Sequence, residues 1–458
     1  MRLKQLRIDN YRCFESLQID FHPQLTVLTA PNGGGKTTVL DAARVALWPF
    51  VKGFDLGSQA GKSANIQIQD VRLAQQPDGR MEPQLPSLIE AIGVWGADHS
   101  ERNWAQARER VKAGTNTLGD EETKRITAHA RELQQQVRDF AAITLPLISY
   151  LGTSRLWYEG RFTSVAEDVA LNTSSYSRTS GYLNCLAYAS SFKTFTAWYG
   201  WVYRSYREEQ IRAIEQRQAL SETGQRFATI IEVIQQAVDA LVHEPTGWHR
   251  LEYRASQNQQ LVMHHDRLGS IPVEMLSDGL RNTIAMVADL AFRACKLNPH
   301  LGTEAARQTP GIALIDEVDM FLHPSWQQTI AASLCKAFPK LQFIVTTHSP
   351  QVLSTVRREQ IRVIGHDETG TLAADQPLAM TYGEPSGDVL HSVMHLDPQP
   401  PIAEKTDLQQ LTAWVDQGQY RSPQAVAALQ TLKDALGANH PQLLRIERSI
   451  RRQEALRE

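Results

Sequence analysis

The chain has 458 residues, of which 42% are hydrophobic and 21% are charged. This composition is that of a globular protein, and it excludes a collagen-like rod, a coiled-coil rod and a wholly disordered chain. The 47 lysines and arginines nearly balance the 50 aspartates and glutamates, for a formal net charge of −3, so any contact with nucleic acid requires a local basic patch. The length predicts about three domains, or one large core with insertions.

The first hundred residues predict the start of an α/β fold. Apolar and β-branched residues recur at short spacing over residues 3–14 and 17–30, which predicts strands, and another strand is expected over 88–95. Residues 37–51 carry apolar side chains at helical spacing, which predicts a helix directly after a glycine-rich loop.

The remaining chain predicts a helical insertion, a return to α/β structure and a helical end. From residue 101 to about 244, apolar residues recur every three or four positions, which indicates helices. The elements predicted next are, in chain order, strands at 251–262 and 271–273, a helix at 277–297, and buried strands at 312–315 and 342–347. Residues after about 376 are predicted to be mostly helical and to end in an arginine-rich helix.

Cysteine spacing and hydropathy bear on the cellular compartment. The four cysteines lie far apart and form no CxxC pair, which argues against a disulfide framework and a zinc cluster. The N-terminus is charged with no apolar run behind it, and nowhere do about 18 apolar residues follow one another. We therefore expect a cytoplasmic protein with no signal peptide and no membrane contact.

The strongest chemical signal is a phosphate-binding loop with alanine in place of its first glycine, Ala30-Pro31-Asn32-Gly33-Gly34-Gly35-Lys36-Thr37. A strand precedes it and a helix follows it, which is the context that this motif requires. Glycines let successive N–H groups face phosphates, and the helix N-terminus adds a favourable dipole. The residues predicted to bind the nucleotide are Asn32, Gly33, Gly34, Gly35, Lys36, Thr37 and Thr38. Lys36 is expected to neutralise the β- and γ-phosphates of ATP, and the Thr37 hydroxyl to hold Mg²⁺.

The second signal is a buried strand that ends in two acids, Ile312-Ala313-Leu314-Ile315-Asp316-Glu317. Taken alone, such a strand is better explained as one that ends in solvated acids. Together with the phosphate-binding loop, it predicts that Asp316 binds Mg²⁺, directly or through water, and that Glu317 polarises the attacking water.

Two weaker signals accompany these motifs. Leu276-Ser277-Asp278-Gly279-Leu280-Arg281 opens a helix, and its serine, glycine and free N–H groups form a second candidate anion-binding surface. Thr346-Thr347-His348-Ser349-Pro350 places a histidine at a strand end, where it could contact a γ-phosphate. A serine at a helix start and a histidine at a strand end are each more often structural.

In this order, NGGGKT, LSDGLR, ALIDEVD and TTHSP resemble the motifs of ABC-type ATPase heads of the RecF, Rad50 and SMC superfamily. The resemblance covers residues 1–60 and about 250–365. It implies an α/β ATPase head built from 1–100 (Walker A) and 245–365 (signature, Walker B and H-switch). A helical insertion over 101–244 and a mostly helical region over 366–458, which could dock a partner, complete this organisation.

The same resemblance implies a site shared by two heads, with ATP and Mg²⁺ between them. Ser277 and Gly279 would contact the γ-phosphate bound by the other subunit, Asp319 would lie in the D-loop, and His348 would sense the γ-phosphate. The signature departs from the usual LSGGQ at Asp278 and at Leu280-Arg281. The Q-loop residue stays open between Gln67 and Gln69, and His323 is equally well explained as the start of a helix.

Other sequence segments resemble those of the ATPases of bacterial anti-phage systems, namely the PtuA subunit of Septu and the related retron ATPases. They include Ser180-Gly181-Tyr182-Leu183-Asn184, His323-Pro324-Ser325-Trp326-Gln327 and Tyr382-Gly383-Glu384-Pro385-Ser386. The resemblance implies a sensor and regulatory ATPase that forms a homodimer or higher oligomer and controls a PtuB-like HNH nuclease partner.

Two other functions remain open. One is a RecF-like DNA-binding repair ATPase that acts as a clamp without a nuclease partner. The other is an assembly scaffold that binds ATP but scarcely hydrolyses it.

No nuclease is predicted within the chain itself. The overcoming-lysogenization-defect nucleases, which have a similar head, carry a metal-binding DxD pair after it, and the residues after Gly365 contain none. His264-His265-Asp266 is better explained as a turn between strands than as a metal site, because no third ligand follows at a useful spacing. Residues 441–458 hold five arginines and three glutamates, which fits either a mixed solvated helix face or a contact with nucleic acid or an acidic partner.

Overall fold

The computed structural model describes residues 1–57, 64–96, 98–112, 117–155, 177–188, 192–255, 259–366, 370–397 and 399–456. The chain divides into two compact units, Met1–Met394 and His395–Glu458. In the part of the chain that is described, no helix combines the length and the apolar character that a membrane crossing needs.

The first unit is mixed α/β. Its strands are β1 (Arg2–Tyr11), β2 (Phe14–Asp20), β3 (Leu25–Thr29), β4 (Leu73–Gln75), β5 (Met81–Pro83), β6 (Ser87–Val94), β7 (Glu101–Arg108), β8 (Leu118–Gly119), β9 (Leu147–Leu151), β10 (Trp248–Arg254), β11 (Gln260–His265), β12 (Gly269–Pro272), β13 (Gly311–Ile315), β14 (Leu341–Thr346), β15 (Ile361–His366) and β16 (Leu372–Asp375). Its helices are α1 (Lys36–Val51), α2 (Glu121–Arg138), α3 (Phe192–Glu215), α4 (Glu222–Thr246), α5 (Asp278–Leu297), α6 (Ala305–Gln308), α7 (Pro324–Ala337), α8 (Pro350–Leu353) and α9 (Ser386–Ser392).

One large sheet organises this unit, with its described strands in the order β8-β7-β6-β1-β2-β16-β15-β3-β14-β13-β9. The neighbours β3, β14, β13 and β9 are parallel to one another. Every residue of these four strands is buried, because helices cover both faces of a parallel sheet and leave no solvated side. By contrast, β1, β2 and β6 pair antiparallel and bury roughly alternate residues. The predicted α/β class with a C-terminal helical region is confirmed.

Most of the predicted elements near the motifs form at or close to the expected residues. The run 3–14 contains β1 and the start of β2, and the run 17–30 contains the rest of β2 and β3. The predicted strand 251–262 instead includes parts of two strands, β10 and β11, which pair antiparallel.

Within 101–244 the sequence predicts helices separated by turn-rich segments at 113–120 and 172–181, and the prediction of helices is wrong where β7 and β9 form. Glu101–Arg108 is strand β7, which pairs antiparallel with β6, and Leu147–Leu151 is strand β9, which pairs parallel with β13. In β7, the inward positions include Gln106 and Arg108, so the alternation of apolar residues that marks a strand is broken. Gln106 donates to the backbone oxygen of Val45, and Arg108 Nη1 donates to that of Ile66 at 3.0 Å.

The predicted C-terminal region also begins differently. Leu372–Asp375 is strand β16, which pairs antiparallel with β15 and parallel with β2, so the large sheet extends past residue 366. The second unit contains α10 (Lys405–Asp416), α11 (Pro423–Leu436) and α12 (Pro441–Ala455). These helices share a small apolar core of their own, formed by Leu408, Leu411, Val415, Tyr420, Ala425, Leu432, Leu443 and Ile446.

Gly311 begins β13 where this strand passes β9, and a substitution there tests the pairing of the two strands. Its φ is +153°, and a Cβ atom would overlap the backbone oxygen of Leu147. We expect Gly311→Ala to lower the free energy of unfolding by about 2–4 kcal/mol, because both the close approach and the backbone conformation become strained. Urea unfolding measures this loss. The control is Gly365→Ala in β15, where no described heavy atom lies within 4 Å of the added carbon. An equal effect of both substitutions would contradict the packing argument.

Candidate functional site

Three neighbouring parallel strands bring the main predicted motifs to one edge of the sheet. The phosphate-binding loop follows β3, Asp316 and Glu317 follow β13, and His348 follows β14. Because β14 lies between β3 and β13 and all three run in the same direction, their carboxyl ends adjoin. In open α/β sheets this edge is where ligands bind.

The loop between β3 and α1 has the backbone conformation that a phosphate cradle requires. Gly33 has φ of +79° and Gly35 has φ of +89°, values that side-chain-bearing residues rarely adopt. Gly35 is the N-cap of α1, so the loop leads directly into the unpaired N–H groups of the first helical turn. Asn32 and Gly33 are exposed, as an entering phosphate group requires.

Lys36 is the first residue of α1, and its side chain reaches back to the start of this loop. Its ammonium donates to the backbone oxygens of Ala30 at 2.9 Å and Pro31 at 3.4 Å, and the side chain is almost fully buried. Burial lowers the pKa of Lys36, and the nearby carboxylates of Asp316, Glu317 and Asp319 oppose this shift. The structure therefore brings the predicted phosphate-binding lysine into the electrostatic range of all three predicted acids.

Thr37 and Asp316, the two predicted magnesium ligands, are in direct contact. The Thr37 hydroxyl lies 3.0 Å and 3.2 Å from the two carboxylate oxygens of Asp316. Mg²⁺ in nucleotide sites is commonly held by one or two protein oxygens, phosphates and waters, and this donor set fits that pattern. Among the described residues, no cluster of three or more His, Cys, Asp or Glu side chains could hold a metal ion.

Thr346, the last residue of β14, connects the two acids and was not singled out as a site residue by the sequence pattern. Its hydroxyl donates to Asp316 Oδ1 at 2.6 Å and accepts from the backbone N–H of Glu317 at 2.7 Å. Glu317 has φ of +48°, a strained value for a non-glycine residue. The Thr346 hydroxyl therefore holds Asp316 in place and stabilises the unusual backbone that orients Glu317.

Thr347 makes the corresponding contact one residue further on. Its hydroxyl donates to Asp319 Oδ1 at 2.6 Å and accepts from the backbone N–H of Ser349 at 2.9 Å. Thr346 and Thr347 thus hold the segment from Asp316 to Asp319 by hydrogen bonds. The residue that follows them, His348, is half-buried at the strand end. The sequence signal for this hydrogen-bonding role of Thr346 and Thr347 was the presence of two adjacent hydroxyl side chains directly before His348.

The predicted signature residues pack against the segment that follows Asp319. A Cβ atom on Gly279 would overlap the backbone oxygen of Phe321, and Asn282 Nδ2 donates to the backbone oxygen of Met320 at 3.2 Å. Ser277 is the N-cap of α5, and its side chain is exposed and makes no capping hydrogen bond. This close contact requires a glycine at position 279. The Ser277 side chain, two residues earlier, is exposed to solvent.

Behind the loop, Arg12 links three elements in a contact that the sequence motifs do not reveal. Its guanidinium donates to Asp41 of α1 and, at 2.8 Å, to Asp70. Asp70 ends the short turn that contains Gln69 and follows Gln67, and both glutamines are exposed. Thr38, predicted to bind nucleotide, is buried on this side, with its hydroxyl 3.7 Å from the sulfur of Cys13.

Two histidine motifs are placed in structural roles. His323 is the N-cap of α7, and its Nδ1 accepts from the backbone N–H of Ser325 at 3.3 Å. His264 lies in β11, where its ring nitrogens contact Glu252 at 3.0 Å and Ser270 at 2.8 Å.

Comparison with known proteins also indicates an ATPase. The family model described as an AAA domain matches residues 5–241, more than half of the chain. The Retron Ec83 probable ATPase of Escherichia coli is 25% identical over 498 residues, covering 98% of this chain and 86% of that protein. The Retron Vc95 probable ATPase of Vibrio cholerae serotype O1 biovar El Tor is 26% identical over 423 residues, covering 85% and 78%.

A shorter similarity concerns the Septu protein PtuA of Bacillus mycoides (strain KBAB4), which is 38% identical over 111 residues, 24% of this chain and 15% of that protein. The recognition of an ABC-type ATPase related to retron and Septu proteins is confirmed. With its phosphate-binding loop, acidic strand end and strand-end histidine gathered at one sheet edge, the chain belongs to the AAA domain family.

Proposed function

We propose that this chain is the ATP-hydrolysing sensor and regulatory subunit of an anti-phage defence complex and that it controls a partner HNH nuclease. The observation that carries the proposal is the similarity to a retron ATPase along 98% of the chain. The shorter similarity to PtuA supports the assignment to defence and suggests the kind of partner. The site supplies the chemistry that such a regulator needs.

In this proposal, the triphosphate of ATP binds in the loop after β3. The N–H groups of Gly33 and Gly35 face the phosphate oxygens, while the N–H of Gly34 donates to the backbone oxygen of Pro31 at 3.0 Å and shapes the loop. The Lys36 ammonium moves from its contacts with Ala30 and Pro31 to the β- and γ-phosphates. Thr37 and Asp316 hold Mg²⁺, which neutralises charge on the phosphate oxygens.

Glu317 orients and polarises the attacking water, and His348 contacts the γ-phosphate from the next strand end. Because Thr346 bonds both Asp316 and the backbone of Glu317, metal ligand and base keep a constant separation. A fixed geometry of this kind is what lowers the barrier of phosphoryl transfer, in which positioning and charge stabilisation dominate.

Ser277 and Gly279 act in the other copy of the chain. The exposed Ser277 hydroxyl and the first N–H groups of α5 face outward, and they meet the γ-phosphate held by a second head. Association of two heads then depends on ATP, and hydrolysis releases it. Through this cycle, the nucleotide bound to the chain controls the partner nuclease.

The Glu317→Gln substitution tests the role of the proposed base. We expect ATP turnover to fall by a factor of about 100 or more, because the amide cannot accept the proton of the attacking water. ATP binding persists, so the variant accumulates as an ATP-bound dimer, which light scattering in Mg-ATP detects as a doubled mass. The matched control is Glu384→Gln, which removes an exposed carboxylate. Turnover at the unmodified rate in the Glu317 variant would show that the base is another group.

The Thr346→Val substitution removes the bridging hydroxyl while keeping the shape of the side chain. We expect turnover to fall by about 10- to 100-fold, because small displacements of reacting groups have effects of this size. Affinity for ATP stays close to that of the unmodified chain, since the loop after β3 is untouched. Separate measurements of nucleotide binding and of phosphate release distinguish these effects. Thr329→Val in α7 is the control, and equal turnover in both variants would contradict the positioning role.

Purification of the tagged chain from its own host in Mg-ATP tests the partner. A stoichiometric HNH nuclease that leaves the complex when the Lys36→Ala substitution blocks nucleotide binding is the expected result. A bare homodimer, or one that carries only DNA, would overturn the nuclease partner and favour a RecF-like clamp. Tight ATP binding with negligible phosphate release would instead favour an assembly scaffold.

A further inference from the structure

Helix α12 of the second unit has two chemically different sides. Leu443 and Ile446 are buried in the core of this unit, and Ile450 packs against it. Arg445, Arg448 and Arg452 are exposed. Their spacing of three and four residues places these three arginines on one face of the helix. We call this surface the arginine face.

Three other cations among the second unit's described residues are paired with acids. Lys433 Nζ contacts Glu447 at 2.5 Å, Arg421 Nη2 contacts Glu454 at 3.5 Å, and Lys405 Nζ contacts Asp397 at 2.6 Å. The two glutamates of α12 among these residues, Glu447 and Glu454, therefore point toward cations on other segments of the unit.

Among the described residues of the second unit, none neutralises the positive charge of the arginine face. In the described part of the chain, no acidic side chain forms an ion pair with Arg445, Arg448 or Arg452. Arg451, also exposed, lies next to the face and close enough to Glu447 to help lower the pKa of that carboxyl, after the hydrogen bond from Lys433. A mixed solvated helix would intersperse its charges, whereas here they are segregated.

The chemistry of this face favours phosphates over an acidic protein surface. Guanidinium groups bind phosphate oxygens through two parallel hydrogen bonds. A protein interface is usually anchored by apolar or aromatic side chains at its centre. On the arginine face the large apolar neighbours are Leu444, at one end, and Leu456, at the other, and none lies between the three arginines.

We propose that the arginine face binds the phosphate backbone of a nucleic acid. From Arg445 to Arg452 the helix rises about 10 Å, which spans on the order of three phosphates of one strand. Contacts of this type carry no base specificity, so the surface holds nucleic acid without selecting a sequence. The proposal is independent of ATP hydrolysis, because none of these residues belongs to the nucleotide site.

The test uses the full-length chain with Arg445→Gln, Arg448→Gln and Arg452→Gln combined. Glutamine removes the three charges and keeps good helix propensity. The control combines Arg131→Gln, Lys336→Gln and Lys340→Gln, three exposed cations of the first unit, and changes the net charge equally. Fluorescence anisotropy measures binding to single-stranded and duplex DNA of about 30 nucleotides or base pairs over a range of salt concentrations.

We expect the arginine variant to lose at least tenfold in DNA affinity at about 0.1 M salt, and the slope of log K against log salt to fall by about 2 to 3. The control variant binds like the unmodified chain, and ATP turnover and circular dichroism are unchanged in both. No DNA binding by the unmodified chain, or equal losses in the two variants, would overturn the proposal. So would loss of binding to a polyglutamate peptide with DNA affinity unchanged, which would assign the face to an acidic protein.

Discussion

The carboxylate of Asp316 is the point on which the site depends. It is buried at the end of a buried strand, where an unpaired charge would be strongly unfavourable. The hydroxyls of Thr37, from the start of α1, and Thr346, from the end of β14, both donate to it. These two bonds join three segments that lie far apart in the chain, and they require the carboxyl ends of β3, β14 and β13 to meet with little freedom.

From this point a continuous set of contacts leads to the start of α5. Thr346 also holds the backbone of Glu317, and the next residue, Thr347, holds Asp319. The segment after Asp319 packs on the start of α5, where Gly279 allows the close approach of Phe321. The described contacts therefore run from Asp316 through Glu317, Asp319 and Phe321 to the start of α5, where Ser277 lies.

The two compact units differ in where they place the charged side chains discussed above. In the first unit, Lys36 is buried among three carboxylates, an arrangement in which burial lowers its pKa and the acids restore part of its basicity. This balance suits a cation whose partner is a phosphate. In the second unit, the acids of α12 pair with cations on other segments, and the arginine face remains open to solvent. The first unit thus buries Lys36 and Asp316, whereas the second unit leaves the arginine face exposed.

The sequence by itself determined the local chemistry of the site: the glycine-rich loop, the strand that ends in Asp316 and Glu317, and His348 after the last buried strand. These signals are readable because each depends on neighbours in the chain, such as consecutive glycines or a short run of apolar residues. Only the tertiary structure showed that Thr346 bridges two acids, that Arg12 joins Asp41 to Asp70, and that β7 and β9 belong to the sheet. Each of these features pairs residues distant in sequence, and in β7 the inward Gln106 and Arg108 are satisfied by backbone oxygens of other segments. A polar side chain becomes compatible with a buried position only when its partner is in place, and that partner is set by the fold.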